Sequence, residues 1–231
     1  MSHHLSLHLR DGKIYWRVQY SGRKESTLFG SYTVSADYDG FFNEYLVVWH
    51  LLVDRALLGP NQYGDGLKIT FSQPLGKKLF MGSVRIDNND VMQAVTAFRV
   101  RFADAKIECN HRPSGFNFDV PAPSLPLTMP EVKARSTSLS QMVNITFHAL
   151  DRWRERSKTS SYARALQKLI DMISANVFHE VSLNERIAFN KLMKYEVQAV
   201  HYSVNVEQGI RFVCVDKPNG EKAMVTVYFT A

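Results

Sequence analysis

Before residue 120 the chain alternates apolar and polar positions with period two, first at Leu5-Ser6-Leu7-His8-Leu9, then over 14–20 and 26–34. Alternation of this kind predicts half-buried strands, and the Asp11-Gly12 and Ser21-Gly22 pairs between the runs are hairpin turn signals. Three antiparallel strands are expected. From 42 to 58 the apolar residues occupy more than one helical face and stop at Gly59-Pro60, which predicts a largely buried helix with a C-terminal stop. A fourth strand over 67–71, a helix over 91–103 and a fifth strand over 105–109 follow, and 115–120 leads into prolines.

The pattern breaks at Pro121, Pro123, Pro126 and Pro130, with Ser136, Thr137 and Ser138 behind them. Such a segment cannot continue a helix or a central strand, so 121–138 is read as a linker between domains at 1–120 and 139–231. Beyond it, helices come first. Thr146 is a plausible N-cap for a helix bearing His148, an amphipathic stripe over 161–175 predicts a second helix, and Ser182-Leu183-Asn184-Glu185 is a capping-box signature for a third, ending near Lys194. Alternation at 197–204, 210–215 and 223–229, with turn residues between, predicts an antiparallel meander of three strands. The fold class is α+β: a mixed sheet with helices, then helices followed by a meander.

Composition narrows the picture. The chain has 231 residues, 45 % of them apolar, enough to bury real cores. Formal charge is +6, and the balance is uneven: 1–130 holds fourteen basic and twelve acidic side chains, 131–231 fourteen and ten. An anionic partner is compatible with that excess. The two cysteines, Cys109 and Cys214, are far apart, so neither a disulfide framework nor a zinc cluster is indicated. No secretory leader and no membrane-crossing apolar run is visible, and a cytoplasmic setting with no membrane partner is expected. His3, His4 and His8 are read as incidental rather than as metal ligands, and no cofactor is expected.

The densest chemistry lies in 148–156, where one histidine and three arginines fall within about two and a half helical turns. His148, Arg152 and Arg156 share a helical face, and Ala149, Leu150 and Trp153 supply apolar surface for the other side. A histidine can move protons near neutrality, and an arginine fork matches phosphate oxygens. Arg154, Arg156 and Lys158 are candidate nucleic-acid contacts.

Residues 1–120 resemble the ribonuclease H fold. The resemblance rests on element order and on Gly22-Arg23-Lys24, Gly30-Ser31-Tyr32-Thr33, Asn43-Glu44-Tyr45 and Thr70-Phe71-Ser72-Gln73. It implies that Glu44 takes the place of the helix-borne glutamate and Asp119 that of the last carboxylate. Two-metal hydrolysis needs clustered carboxylates. Here Phe71 stands where the family has an aspartate, and Asp11 sits in a turn rather than within a strand, so a degenerate module that keeps its architecture is expected.

Residues 142–231 resemble the superfamily of metal-independent ribonucleases that joins barnase, EndoU, colicin-type and RelE-like toxins. The residues carrying this are His148-Ala149 with Arg152, Glu155 and Arg156, Arg211 in a middle strand, and Thr226-Val227-Tyr228 in the last strand. The resemblance implies RNA cleavage by attack of the 2′-hydroxyl on the adjacent phosphorus. His148 would serve as base or acid, Arg152 and Arg211 as phosphate clamps, and Tyr228 or Thr226 as phosphate partner or second proton carrier. His201 is a possible second histidine. RNA is the expected partner, with a neutralising protein as a possible second one. A non-catalytic nucleic-acid-binding protein is the alternative, and a metal enzyme using Glu44 and Asp119 is a third reading.

Overall fold

The period-two run at the N-terminus forms strands β1 (His3–Arg10), β2 (Lys13–Tyr20) and β3 (Thr27–Thr33), each antiparallel to the next. Asp11 and Gly12 both take positive φ, 50° and 68°, as a hairpin turn that matches strand twist requires. The computed structural model describes residues 3–20, 27–59, 64–84, 86–112, 114–126, 128–182, 199–204, 209–217 and 220–229. It divides into two compact units, Met1–Pro130 and Glu131–Ala231.

In the first unit β4 (Leu67–Phe71) lies parallel beside β1, and β5 (Lys106–Cys109) parallel beside β4, giving the order β3-β2-β1-β4-β5. One face takes the helices α1 (Gly40–Trp49), α2 (Pro74–Phe80) and α3 (Asn89–Arg101). Phe71 packs there against Tyr45 of α1 and Phe98 of α3, ring centres 5.0 and 6.2 Å apart. Leu5, Leu7 and Ile69 share its side by alternation and are buried. The helix expected to reach residue 58 stops earlier. After Trp49 the chain makes a π-helical turn, His50–Asp54, and then takes left-handed backbone at Ala56 and Gly59. The pattern missed α2, whose seven residues are opened by a proline in the first turn.

The proline-rich stretch departs from a free linker at both ends. Thr33 N–H donates to the Pro123 carbonyl and Leu125 N–H to the Thr33 carbonyl, each at 2.9 Å, so 123–125 lies along the outer edge of β3. Residues 133–136, expected within the linker, form strand β6 (Lys133–Ser136), which pairs with β7 (Gln141–Ile145). Prolines announce missing backbone donors; they do not announce which sheet edge the remaining groups find.

In the second unit α4 (Phe147–Arg156) and α5 (Tyr162–Ala175) precede β8 (Phe178–Glu180), β9 (Ala199–Val204), β10 (Ile210–Asp216) and β11 (Lys222–Phe229). The expected meander is the middle of a larger sheet, ordered β6-β7-β11-β10-β9-β8, with β11 parallel to β7. The unforeseen strands span only three to five residues each, too few to display a period. Thr146 and Ser161 cap their helices, accepting from Ala149 N–H at 3.2 Å and Arg164 N–H at 3.3 Å. Glu221, before β11, holds Lys133 at 2.7 Å and accepts from Asn144 at 2.9 Å, which fastens the first hairpin to the meander. The third helix expected from Ser182 onward falls on 183–194, outside the described residues. The chain is α+β, and no helix among the described residues is long and apolar enough to cross a membrane.

Candidate functional site

Helix α4 is held by its apolar stripe. Ala149, Leu150 and Trp153 are buried, and Trp153 stacks on Phe229 with ring centres 6.1 Å apart and approaches Phe212 at 6.4 Å. His148, one position before Ala149, is therefore turned to solvent. Arg152 pairs with Glu155 at 2.9 Å on the exposed side, and Arg154 covers the Tyr162 ring at 4.2 Å. Arg156 in the last turn of α4 and Lys158 just past its C-cap are exposed, and positive charge at a helix C-terminus complements the dipole. The concentration of basic residues here has a structural reason in the helix end itself.

Alternation along β10 and β11 decides the rest. Phe212 and Val227 are register partners on the side that meets Trp153. Arg211, Tyr228 and Thr226 consequently stand on the opposite side of the sheet. The expected union of His148 and Arg152 with Arg211, Tyr228 and Thr226 does not occur, because the sheet itself lies between them. That assignment of His148 as base and Arg152 as clamp is corrected.

The far side nevertheless collects a proton carrier, a cation and hydroxyls. His201 of β9 pairs in register with Val213, and Val213 with Thr226; Ser203 pairs with Arg211, and Arg211 with Tyr228. His201 Nδ1 lies 2.9 Å from Tyr228 Oη, a hydrogen bond that crosses β10 diagonally. Arg211 is half-buried and makes no ion pair with a described residue. His201 is 2 % exposed, whereas Tyr228 and Thr226 are half-buried. Sequence reasoning ranked His201 below His148 because density along the chain is easier to see than register across three strands. The β-bulge between Val213 and Cys214 shifts that register by one residue and hides it further.

In the first unit the carboxylate positions are occupied by core. Phe71 is fully buried, and Glu44 is buried on α1 with Oε1 accepting from Ser72 N–H at 2.9 Å. Burial pushes the Glu44 carboxyl up to about 7, against weaker opposing hydrogen bonds from Ser72 and Gln73. Glu44 is thus neither a surface carboxylate nor an available metal ligand. Asp119 is an exposed loop residue whose N–H donates to Asn117 Oδ1 at 2.9 Å. Among the described residues no group of three or more His, Cys, Asp or Glu is placed to hold a metal ion. The third reading, a metal enzyme built on Glu44 and Asp119, has no geometric basis among these residues.

Comparison with known proteins returns no match to any family model, curated protein or solved structure.

Proposed function

We propose that the second unit is a metal-independent endoribonuclease of the toxin type, with its site on the side of the sheet opposite α4. The observation that carries this reading is the His201–Tyr228 hydrogen bond beside Arg211. The helix α4 ahead of a C-terminal meander also agrees with the resemblance drawn from the sequence, with β6, β7, α5 and β8 added to it.

RNA supplies its own nucleophile, so the protein needs a proton path and a cation at phosphorus. Arg211 is the phosphate clamp. Tyr228 takes the 2′-hydroxyl proton while its own proton passes to His201 Nδ1; the 2′-oxygen bonds to phosphorus, the bond to the 5′-oxygen breaks, and that oxygen takes a proton from water. Thr226, two residues before Tyr228 on the same side, is a further hydroxyl for a phosphate oxygen. His201 is a positioning residue that acts through Tyr228, which agrees with its burial.

The first unit supports a companion reading. Its three-strand meander, helix, strand, helix and strand follow the order the ribonuclease H resemblance implies, with α2 added. A module that keeps that architecture without a cluster of carboxylates among its described residues fits a role in RNA binding or in restraint of its neighbour. The burial of His201 favours one alternative, a protein that binds nucleic acid without cutting it.

Incubating the full chain with single-stranded RNA in EDTA separates these readings. Cleavage to 2′,3′-cyclic phosphate ends is expected, falling at least ~100-fold in Arg211→Ala and Tyr228→Phe and persisting in His148→Ala. RNA that stays intact, or cleavage lost only in His148→Ala, removes the proposal. Intact RNA with binding that weakens steeply as salt rises establishes the binder instead.

A further inference from the structure

The side of the five-stranded sheet turned away from α1, α2 and α3 carries polar side chains from four strands. Register and alternation set His4, Ser6 and His8 of β1 beside Arg17 of β2, Thr70 of β4 and Glu108 of β5. Residues 114–120 pass over this side, with the Phe116 ring 5.8 Å from that of His8 and 5.6 Å from the Arg17 guanidinium. A cavity of about 170 Å³ lies between them, lined also by Lys68, Arg112 and Ser114.

Positive charge predominates in it. Arg17, Lys68 and Arg112 face a single carboxylate, Glu108, which Lys68 and Lys106 already hold at 2.7 and 2.9 Å. Arg17 is fixed in place: Nη1 donates to the Gly115 carbonyl at 3.1 Å, and a Cβ at Gly115 would collide with that nitrogen. Two lining residues leave a buried nitrogen, Arg17 Nε and His8 Nδ1, with no hydrogen-bond partner among the described residues. Buried nitrogens are rarely left so, and a pre-set arginine facing a polar hollow is suited to acceptor-only oxygens. Burial holds both His4 and His8 below the usual histidine range, so these rings add hydrogen-bonding edges rather than charge at neutral pH. At ~30 Å³ per water the space suits a phosphate-sized group and little more.

A second cavity, about 450 Å³, shares His4 and Lys68 with the first and reaches round the strand ends to Tyr20 and Leu67, which register with His3 on the other side of the sheet. An aromatic and an apolar wall at the strand ends, joined through His4 and Lys68 to a cationic hollow on the helix-free side, match a base held at the length of a sugar from its phosphate. We propose that the first unit binds a nucleotide here, its phosphate between Arg17, Lys68 and Arg112 and its base in the larger cavity. This site is independent of the ribonuclease reading, since it lies in the other unit and its ligand need not be cleaved.

Titration of the full chain at low salt, by calorimetry and by imidazole NMR of His4 and His8, uses adenosine 5′-monophosphate and inorganic phosphate as probes. The nucleotide is expected to bind at least tenfold more tightly than inorganic phosphate. Both bind at least tenfold more weakly in Arg17→Ala, and also in Gly115→Ala, which keeps every charge while displacing the arginine and straining the left-handed backbone whose carbonyl holds it. Lys78→Ala, an exposed cation on α2, leaves both unchanged, and thermal melts confirm that each variant is folded. Equal affinity for the two probes overturns the nucleotide and leaves a free-anion site. Absence of binding, or binding that survives both Arg17→Ala and Gly115→Ala, overturns the site, whatever the RNA cleavage assay gives.

Discussion

In the first unit the helix-free side of the sheet surrounds a cationic cavity, whereas in the second the side opposite α4 carries a histidine–tyrosine pair beside Arg211. Both sheets bury the other side under large rings, Phe71 with Tyr45 and Phe98 in one, Trp153 with Phe212 and Phe229 in the other. The helices differ. α1 carries a carboxyl, Glu44, inward, and α4 carries its charges outward. A helix spreads neighbouring residues around its axis, so a run of reactive types ends up partly in the core and partly in water. Paired strands do the reverse, setting side by side residues that stand tens of positions apart.

The sharpest way to break this contrast is to ask whether α4 matters for its rings or its charges. Trp153→Ala is expected to cost about 3–5 kcal/mol of unfolding free energy in urea titrations, as deletion of a buried aromatic does. A loss below ~1 kcal/mol would mean that the stack on Phe229 is not what holds the helix.

Glu44 tests the inward carboxyl. Its folded value, about 7 against an ordinary 4.5, means that the native state binds a proton the unfolded chain has released. Stability from this group is therefore present below pH 4.5, declines as pH rises toward 7 and is lost above it, a change on the order of 3 kcal/mol. Glu44→Gln should remove that slope and exceed the wild type at pH 8 but not at pH 4.5. A stability difference independent of pH would show that the carboxyl does not titrate in that window.

Two smaller effects complete the series. Thr146→Ala removes the oxygen that accepts from Ala149 N–H and should cost ~1 kcal/mol, with Thr146→Ser recovering most of it. Arg152→Ala breaks an exposed pair with Glu155 and should change stability by less than ~0.5 kcal/mol, less still in high salt. If Arg152→Ala proved the costlier of the two, the outward charges of α4 would have to be reassigned a structural role.

Much of the secondary structure was legible along the chain. β4 matches its expected bounds, and the caps at Thr146 and Ser161 follow from residue type alone. Four elements were not, namely α2, β6, β7 and β8, because each is too short for a period to show or sits within proline- and serine-rich sequence. The candidate sites were less legible still. His148 drew notice through its neighbours, yet burial of Ala149 and Leu150 turned it to solvent. His201, His4 and His8 stood in plain alternation, but their partners come from other strands.

Taken alone, the order of residues determined which of the longer segments would be strands or helices, where α4 and α5 would begin, and that the fold would be α+β, because these depend on local periodicity and backbone chemistry. Which side of each sheet would meet helices, and so which histidine would reach a tyrosine and which arginine a cavity, was settled only by tertiary packing. Strand register depends on pairings between distant segments, and a single bulge such as that at Val213 shifts it by one residue.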